Sequence, residues 1–438
     1  MAAPTYPEQF LLHPVAGPVS APVTLPGSKS ITNRALLLAA LADGDSRLVA
    51  PLHSDDTFYM VNALKELGVS IEEASGGDFL VQGLGGKLQA PDKALFIGNS
   101  GTTIRFLTAA ACLTPSGTDV VLDGVARMRE RPIRDLLGAL LTLGVHAESV
   151  NGHGCPPVRV CGGGLPGGSC RLRGDVSSQF LTALLQVAPF AAQDVQIEIL
   201  GELISKPYID ITQAVMRSFG VAMQNDDYSR LSVQAGQKYI GQNYAVEADA
   251  SNASYFLAAA AVTGGSVTLE NLGSESIQGD VRFVDVLERM GCSVVRGEKL
   301  SLSGPTKLRG IEADLTAIPD TAQTLAVVAA FADGPSHLAG LASLRVKETD
   351  RLKAITTELS KLGVHVDEGR DDWTITPPKD GVYTSAAIDT YDDHRMAMSF
   401  AVAGLRVPGV AINDPGCVAK TFPDFWERWG KAFGHGQR

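Results

Sequence analysis

The 438-residue sequence is short of positive charge and of aromatic side chains. Lysine and arginine number 37 against 48 aspartate and glutamate, a formal net charge of −11, and aromatic residues make up 6% of the chain. An acidic chain of this kind lacks the basic surface that nucleic acids require, so we expect no nucleic-acid partner. A site for an anion must therefore gather a few cations locally.

Cysteines and long apolar runs are scarce as well. The six cysteines form no C-x-x-C pair, and the three near His153 fit no ordinary zinc ligand set. We therefore expect free thiols and no metal. Apolar runs such as Ala35–Ala42 reach about eight residues, against the ~18 of a membrane span. The N-terminus shows no basic region followed by an apolar one, so we expect no signal peptide, no membrane partner and a cytoplasmic location.

What the sequence does contain is a six-fold repeat. Small apolar helices with polar starts begin at Ser28, Asn99, Ser177, Ala250, Pro319 and Asp393. Amphipathic helices that close on glycine alternate with them, at Gly68, Gly144, Gly220, Gly291, Gly363 and Gly430. Repetition at a nearly fixed period predicts a repeat architecture.

Short alternating stretches between these helices predict strands. They are GKLQA, VVLDG, PVRVCGG, VQIEIL, RLSVQAG, SVTLENL, KLSLSG and WTITPP. Each repeat then forms one βαβαββ-type unit, and helices that are apolar nearly all round should lie buried beneath the strands. Counting repeats places three units on each side of Glu247.

The polar helix starts predict an anionic site. A helix N-terminus presents unpaired N–H groups and the positive end of a dipole, so several such ends could share one anion. LPGSKS at Leu25–Ser30 lacks the spacing GxxxxGK[ST], so it supports nucleotide binding only weakly.

In the first half, each candidate also has an ordinary structural explanation. Lys29, Ser30 and Arg34 begin a helix, and they fit an anion site and a solvated basic helix start equally well. Arg127 precedes a helix, where a guanidinium can make bidentate hydrogen bonds to a phosphate. Runs of arginines like RMRERPIR are, however, usually solvated. The serines of VSSQF, and Ser205 in ISKPYID, are equally typical of plain N-caps.

In the second half the alternatives are similar. Asp320 is expected to be the N-cap of the helix that follows it. Lys347 and Glu348 lie four and three residues before Arg351, which puts them on one helix face, where a surface ion pair is the simplest explanation. Arg395 starts an apolar helix, where an unpaired cation would be costly, and this favours an anion partner.

The ordered motifs resemble one family. LPGSKS, GNSGTTIR, RMRERPI, DVSSQFLTALL, SKPYIDIT, EADASNASYFLAAAA, IPDTAQT, RVKETDRL, YDDHRMAM and AKTFPDF together resemble EPSP synthase, from about Leu25 to Phe425. The resemblance implies an α/β fold of two similar domains, each of three βαβαββ repeats, an inside-out α/β barrel with helices inside strands. It implies a first domain of residues 27–247 and a second of residues 1–26 plus 248–438.

The resemblance also implies the reaction. The enolpyruvyl group of phosphoenolpyruvate passes to the 5-hydroxyl of shikimate 3-phosphate, and phosphate is released by addition and elimination, with no metal or organic cofactor and with a monomeric enzyme. Asp320 is implied as the base and Glu348, helped by Lys29, as the proton donor. The shikimate 3-phosphate ligands implied are Lys29, Ser30, Arg34, Ser177, Ser178, Gln179, Ser205, Asp320, Ser343 and Lys347. The phosphoenolpyruvate ligands implied are Lys29, Gly101, Arg127, Gln179, Arg351, Arg395 and Lys420.

Three positions depart from the family pattern. Phe106 stands where many members have proline, and Ser343 and Asp392 stand where asparagine is frequent. One rival is the related transferase acting on UDP-N-acetylglucosamine, which carries a reactive cysteine on a loop. The region around Arg127 has none, and Cys112 lies in an apolar stretch. A non-catalytic anion-binding scaffold is a second rival, but it would not need both acidic residues.

Overall fold

The computed structural model describes residues 6–434, which form two compact units. The first unit is Gly27–Glu247, and the second joins the chain up to Pro26 to the chain from Ala248 onward. None of the helices in the described part of the chain has the length and apolar character needed to cross a bilayer.

The described residues contain twelve α-helices and 25 strands. The helices are α1 Lys29–Leu41, α2 Asp55–Glu66, α3 Gly101–Ala110, α4 Arg134–Thr142, α5 Ser178–Val187, α6 Pro207–Ser218, α7 Ala250–Thr263, α8 Phe283–Arg289, α9 Ala322–Ala329, α10 Arg351–Lys361, α11 His394–Gly404 and α12 Phe425–Phe433. The strands are β1 Gln9–Leu11, β2 Ser20–Val23, β3 Asp45–Val49, β4 Ser70–Glu73, β5 Phe79–Gln82, β6 Leu95–Phe96, β7 Asp119–Asp123, β8 Ala147–Ser149, β9 Val158–Cys161, β10 Gly168–Arg173, β11 Val195–Leu200, β12 Met223–Asp226, β13 Arg230–Val233, β14 Asn243–Ala245, β15 Ser266–Leu269, β16 Ser293–Val295, β17 Leu300–Ser303, β18 Leu308–Arg309, β19 Glu312–Asp314, β20 Ala332–Asp333, β21 Ser336–Ala339, β22 His365–Glu368, β23 Trp373–Thr376, β24 Ala387–Ile388 and β25 Ala411–Asn413.

The five four-stranded sheets of the described residues repeat one pattern, a parallel pair extended by an antiparallel hairpin. In the first unit the strand orders are β14-β3-β5-β4, β6-β7-β9-β8 and β10-β11-β13-β12. In the second unit they are β16-β17-β15-β2, β19-β21-β23-β22 and the three-stranded β1-β25-β24, with a short β18-β20 pair beside them. The predicted α/β fold of three repeats in each unit is therefore confirmed. Strand β2 runs parallel to β15, so the N-terminal segment completes a sheet of the second unit.

The small-residue helices form the interior, as predicted. Every residue of α3, α9 and α11 is buried. The alternate helices bury only one face, and α12, for example, buries Phe425, Trp426, Trp429 and Phe433. The apolar helices are therefore core elements, and polar side chains along them bond one another, as Ser254, Thr324 and Ser399 do.

Two local predictions were wrong. Gly430 does not end a helix: it lies inside α12, which the buried Trp429 and Phe433 hold together on either side, and the left-handed glycine is Gly434 at φ 78°. The stretch GKLQA (residues 86–90) forms no strand. Its Gln89 N–H bonds the Leu67 carbonyl at 2.8 Å, so the segment covers the end of α2 instead of pairing with a strand.

Candidate functional site

Each unit carries a polar cluster where its apolar helices begin. The second cluster, in the second unit, consists of Asp320, Lys347, Glu348, Arg351, Asp393, Arg395 and Lys420. Its side chains come from the residues just before α9, from the start of α10, from the start of α11 and from a 3₁₀ turn that ends at Lys420.

Asp320 is not a helix cap, and that prediction was wrong. It lies in a 3₁₀ turn before α9, where no side chain caps the helix. Its carboxylate instead accepts hydrogen bonds from Lys347 Nζ at 3.1 Å and Arg395 Nη2 at 2.8 Å, and Arg351 Nη1 lies 3.6 Å away. The attraction of three cations in a buried place outweighs the single N–H that a cap would satisfy.

Glu348 and Arg351 form a buried ion pair, which corrects the expected surface pair on one helix face. Helix α10 begins only at Arg351, so Lys347 and Glu348 precede it. Glu348 Oε2 lies 2.8 Å from Arg351 Nη2, and Lys420 Nζ lies 3.7 Å from Glu348 Oε1. The side chain of Arg351 is 1% exposed and that of Glu348 is 7% exposed, so solvent screens this pair little.

Asp393 is a central residue of this cluster that sequence reasoning missed. It caps α11 through the Arg395 N–H at 2.9 Å, and it receives Arg351 Nε at 2.7 Å and Nη2 at 3.1 Å. Asp393 and Glu348 together raise the pKa of Arg351 against the opposing effect of burial. Burial lowers the pKa of Lys347, and Asp320 opposes that change. The signal was present in DDHR, where an acidic residue stands two positions before a helix cation.

A further carboxylate, Asp280, lies beside the same cluster. It is buried, and the Ser251 hydroxyl on α7 donates a hydrogen bond to it. Burial, followed by the negative charge of Asp320, raises the pKa of Asp280 to about 6. Tyr255, one helical turn after Ser251, accepts a hydrogen bond from Arg395 Nη1 at 3.2 Å. No sequence pattern singled out Asp280, because its neighbours come from distant segments.

The first cluster, in the first unit, is built on the starts of α1, α3, α5 and α6. Ser28 caps α1, and Lys29 Nζ lies 3.7 Å from Asp56 Oδ2. Arg34 is buried and joins α1 to α6 by donating to Thr212 Oγ1 at 2.9 Å and to the Tyr208 carbonyl at 3.2 Å. Burial lowers the pKa of Arg34 to about 10. The Arg34 guanidinium is therefore neither part of a solvated helix start nor part of a fully open anion site.

Gly101 begins α3 at a place where an added Cβ would displace two arginine side chains. A Cβ atom there would lie 2.5 Å from Arg131 Nη2 and 2.6 Å from Arg105 Nη1. Arg105 donates to the Gly101 carbonyl at 3.1 Å and to Gln179 Oε1 at 2.8 Å, which links α3 to the start of α5. Arg105 is thus a second residue that sequence reasoning missed, although it stands in the GNSGTTIR motif.

The remaining candidates lie at helix starts or in turns. Ser177 caps α5 through the Gln179 N–H at 3.3 Å, with Ser178 as the first residue of that helix. Ser205 has a left-handed backbone, φ 57°, just before α6 begins at Pro207. Arg127 pairs with Glu130 at 2.8 Å and precedes a 3₁₀ turn, not an α-helix. Ser343 lies half-buried in the second unit, in the 3₁₀ turn Ala342–Val346.

The cysteines take no part in either cluster. All six are free, and burial raises the pKa of Cys112 to about 12, which keeps this thiol protonated. Across residues 6–434, no three His, Cys, Asp or Glu side chains are grouped so that they could hold a metal ion.

Comparison with known proteins identifies the family. The family model of EPSP synthase (3-phosphoshikimate 1-carboxyvinyltransferase) matches residues 15–429. The chain is 50% identical to the 3-phosphoshikimate 1-carboxyvinyltransferase of Herminiimonas arsenicoxydans, covering 97% of this chain and 98% of the relative. It is 49% identical to the chloroplastic enzyme of Arabidopsis thaliana, covering 96% and 83%. The solved EPSP synthase of Acinetobacter baumannii superposes with a TM-score of 0.81 at 29% identity, covering 97% of this chain and 98% of that one. The chain therefore belongs to the EPSP synthase (3-phosphoshikimate 1-carboxyvinyltransferase) family.

Proposed function

We propose a residue-level account of the reaction that the chain catalyses as a member of this family. The enzyme transfers the enolpyruvyl group of phosphoenolpyruvate to the 5-hydroxyl of shikimate 3-phosphate and releases phosphate. Both substrates are anions. The observation that best supports a residue-level account is the second cluster, where three buried carboxylates, two of them proposed to move protons, lie among four cations. A cluster built only for stability would gain as much from apolar packing.

Asp320 is the proposed base. In the addition step the 5-hydroxyl oxygen attacks C2 of phosphoenolpyruvate, and its proton must pass to a nearby group. Lys347 holds Asp320 Oδ1 and Arg395 holds Oδ2, so the carboxylate is fixed in place. Lys347 and Ser343 are assigned to the shikimate 3-phosphate beside it.

Glu348 is the proposed group that gives a proton to C3 and later takes one back. Addition turns the methylene carbon into a methyl group, and elimination of phosphate restores the double bond, so one site must serve in both directions. Glu348 is held by Arg351 and Lys420, both assigned to phosphoenolpyruvate together with Arg395. Their positive charges stabilise the developing charge of the tetrahedral intermediate.

The first cluster is assigned to the same two substrates. Ser177, Ser178 and Ser205 are proposed to bind the phosphate of shikimate 3-phosphate, because two serines begin α5 and the third stands just before α6. Ser30, Arg34 and Gln179 are assigned to the rest of that substrate. Lys29, Gly101, Arg127 and Gln179 are assigned to phosphoenolpyruvate, with Lys29 assisting Glu348. We propose that the two units are the two domains of the enzyme, while a monomeric state and a cytoplasmic location stay predictions.

Solvent deuterium tests the role of Glu348. In heavy water, turnover should place deuterium on C3 of the product, because the methyl group of the intermediate exchanges one hydrogen. Glu348→Gln keeps the shape and loses the proton chemistry, so kcat should fall by ~10²-fold or more and deuterium uptake should fall with it. Glu368→Gln is the matched control, because Glu368 is exposed and pairs with Arg345 outside the cluster, and this variant should behave as wild type. Uptake at the wild-type rate in Glu348→Gln would assign C3 protonation to another group.

A further inference from the structure

The segment that leads into α11 contains two consecutive residues with left-handed backbone. Tyr391 has φ 55° and Asp392 has φ 54°. A positive φ is uncommon for residues other than glycine, and for a bulky residue such as tyrosine it is a genuine outlier. Such a conformation persists only where the surrounding structure imposes it.

One buried carboxylate is bonded to this segment from outside. Glu358, on α10, is 0% exposed. Its Oε1 accepts the Tyr391 hydroxyl at 2.6 Å, and its Oε2 accepts the Asp389 N–H at 3.0 Å. Lys361 Nζ, at 2.7 Å, supplies the counter-charge. Glu358 therefore binds both the backbone just before the left-handed pair and the side chain of its first residue.

Helix α10 thus holds the segment at two points. Its first residue, Arg351, binds Asp393 at 2.7 Å, and Glu358, about two turns later, binds Asp389 and Tyr391. The left-handed pair lies between these two attachments. Because Asp393 caps α11 through the Arg395 N–H, the path of this turn determines where α11 begins and where its cation lies.

We propose that Glu358 is a positioning residue for the known reaction. By fixing the left-handed turn at Tyr391 and Asp392, it places Asp393 and Arg395 for phosphoenolpyruvate. Glu358 acts through the turn and not on the substrate, and the proposal rests on the assignment of Arg395 to phosphoenolpyruvate in the proposed function.

Three variants test this role: Glu358→Gln, Tyr391→Phe and the double variant. Misplacement of a substrate ligand by about 1 Å can cost ~10²-fold, so each single change should lower kcat/KM for phosphoenolpyruvate by at least about tenfold. KM for shikimate 3-phosphate should change less. Tyr391→Phe removes the hydroxyl that Glu358 binds, and Glu358→Gln leaves one acceptor oxygen for the two donors of Tyr391 and Asp389. Both changes act on the same linkage, so the double variant should be less impaired than the sum of the two single effects predicts.

Tyr383→Phe is the matched control. It removes a hydroxyl that donates to the Ala330 carbonyl at 2.8 Å, in the same unit but outside the turn. It should keep kcat/KM at the wild-type value, even where its melting temperature falls. If Glu358→Gln does not fold, Tyr391→Phe decides alone, because that side chain is partly exposed.

Two results would overturn the proposal in different ways. Values of kcat/KM within about twofold of wild type in the folded variants would leave Glu358 a purely structural residue. The variant Arg395→Lys distinguishes failure of the positioning role from failure of the proposed function. A wild-type KM for phosphoenolpyruvate in Arg395→Lys would remove the assignment of Arg395, and with it the route by which Glu358 acts. A raised KM in Arg395→Lys beside unaffected Glu358 and Tyr391 variants would refute the positioning role alone.

Discussion

The substitution Asp320→Asn separates a helix cap from a charged, reactive carboxylate. Asparagine is as good an N-cap as aspartate, so a capping role predicts almost no change in stability. In the structure the carboxylate accepts from Lys347 at 3.1 Å and Arg395 at 2.8 Å. Asparagine keeps one acceptor oxygen and loses the charge. Since a hydrogen bond to a charged group contributes about 1.5–3 kcal/mol, we expect the free energy of unfolding to fall by about 2–3 kcal/mol.

The rate should respond far more than the stability. A base that loses its proton acceptor typically loses ~10²-fold or more in kcat, and here substrate saturation should not restore it. Phosphate release with both substrates saturating gives kcat, and denaturant unfolding of the ligand-free enzyme gives the free energy. Asp350→Asn is the control, because Asp350 caps α10 through the Lys353 N–H at 3.2 Å, and its ion pair with Arg345 is partly exposed to solvent and contributes little. It should change neither quantity strongly.

The rate and the stability of Asp320→Asn test different roles of the carboxylate. Turnover of Asp320→Asn at the wild-type rate would show that another group accepts the proton of the 5-hydroxyl. An unchanged free energy of unfolding, together with a lost rate, would show that the ion pairs of Asp320 contribute nothing to stability in the free enzyme.

Three further predictions follow from single contacts. The pKa of Asp280 is raised from 3.8 to about 6, so the folded state holds its proton over that interval and loses stability as pH rises through it, by about 3 kcal/mol in all. Asp280→Asn should remove this pH dependence. In denaturant unfolding the variant should be more stable than wild type at about pH 8 but not at about pH 4. Equal gains at both pH values would refute the raised pKa of Asp280. Phe106 is buried, and its ring lies 5.4 Å from the Arg34 guanidinium. Phe106→Ala should therefore lower the free energy of unfolding by about 3–5 kcal/mol in calorimetry and raise KM for shikimate 3-phosphate. An unchanged KM would show that the ring does not influence that substrate. Gly101→Ala puts a Cβ within 2.6 Å of two guanidinium groups, so steady-state kinetics should show KM for phosphoenolpyruvate raised roughly tenfold, whereas an unchanged KM would mean that both groups move aside freely.

Much of the fold can be predicted from the sequence because each repeat is marked by local sequence patterns. The spacing of small apolar residues, and the glycines after amphipathic helices, depend only on neighbours in the chain. Gly68 and Gly363 indeed have the left-handed φ of 90° and 82° expected after a helix. Gly430 is the exception, because its helix continues through contacts of Trp429 with residues far along the chain, such as Phe256.

The identity of the reaction also lies in the sequence, since ordered motifs over nearly the whole chain are specific to one family. The hydrogen-bond partners of the site residues, in contrast, cannot be read from the sequence. Asp320 bonds Arg395, which lies 75 residues away, and Arg34 bonds Thr212, which lies 178 residues away. No local pattern distinguishes such a carboxylate from an N-cap, because both are acidic residues at a helix start.

What the tertiary structure alone decided is therefore how each charge is held. It placed Asp393 and Glu348 on Arg351, put Asp280 beside Asp320, and bonded the left-handed Tyr391 to Glu358. The physical reason is burial: away from water an ion pair depends on distance and on every neighbouring charge, and these are fixed only when separate helices pack. The sequence by itself determined the architecture and the reaction; the packing determined which cations hold each buried carboxylate.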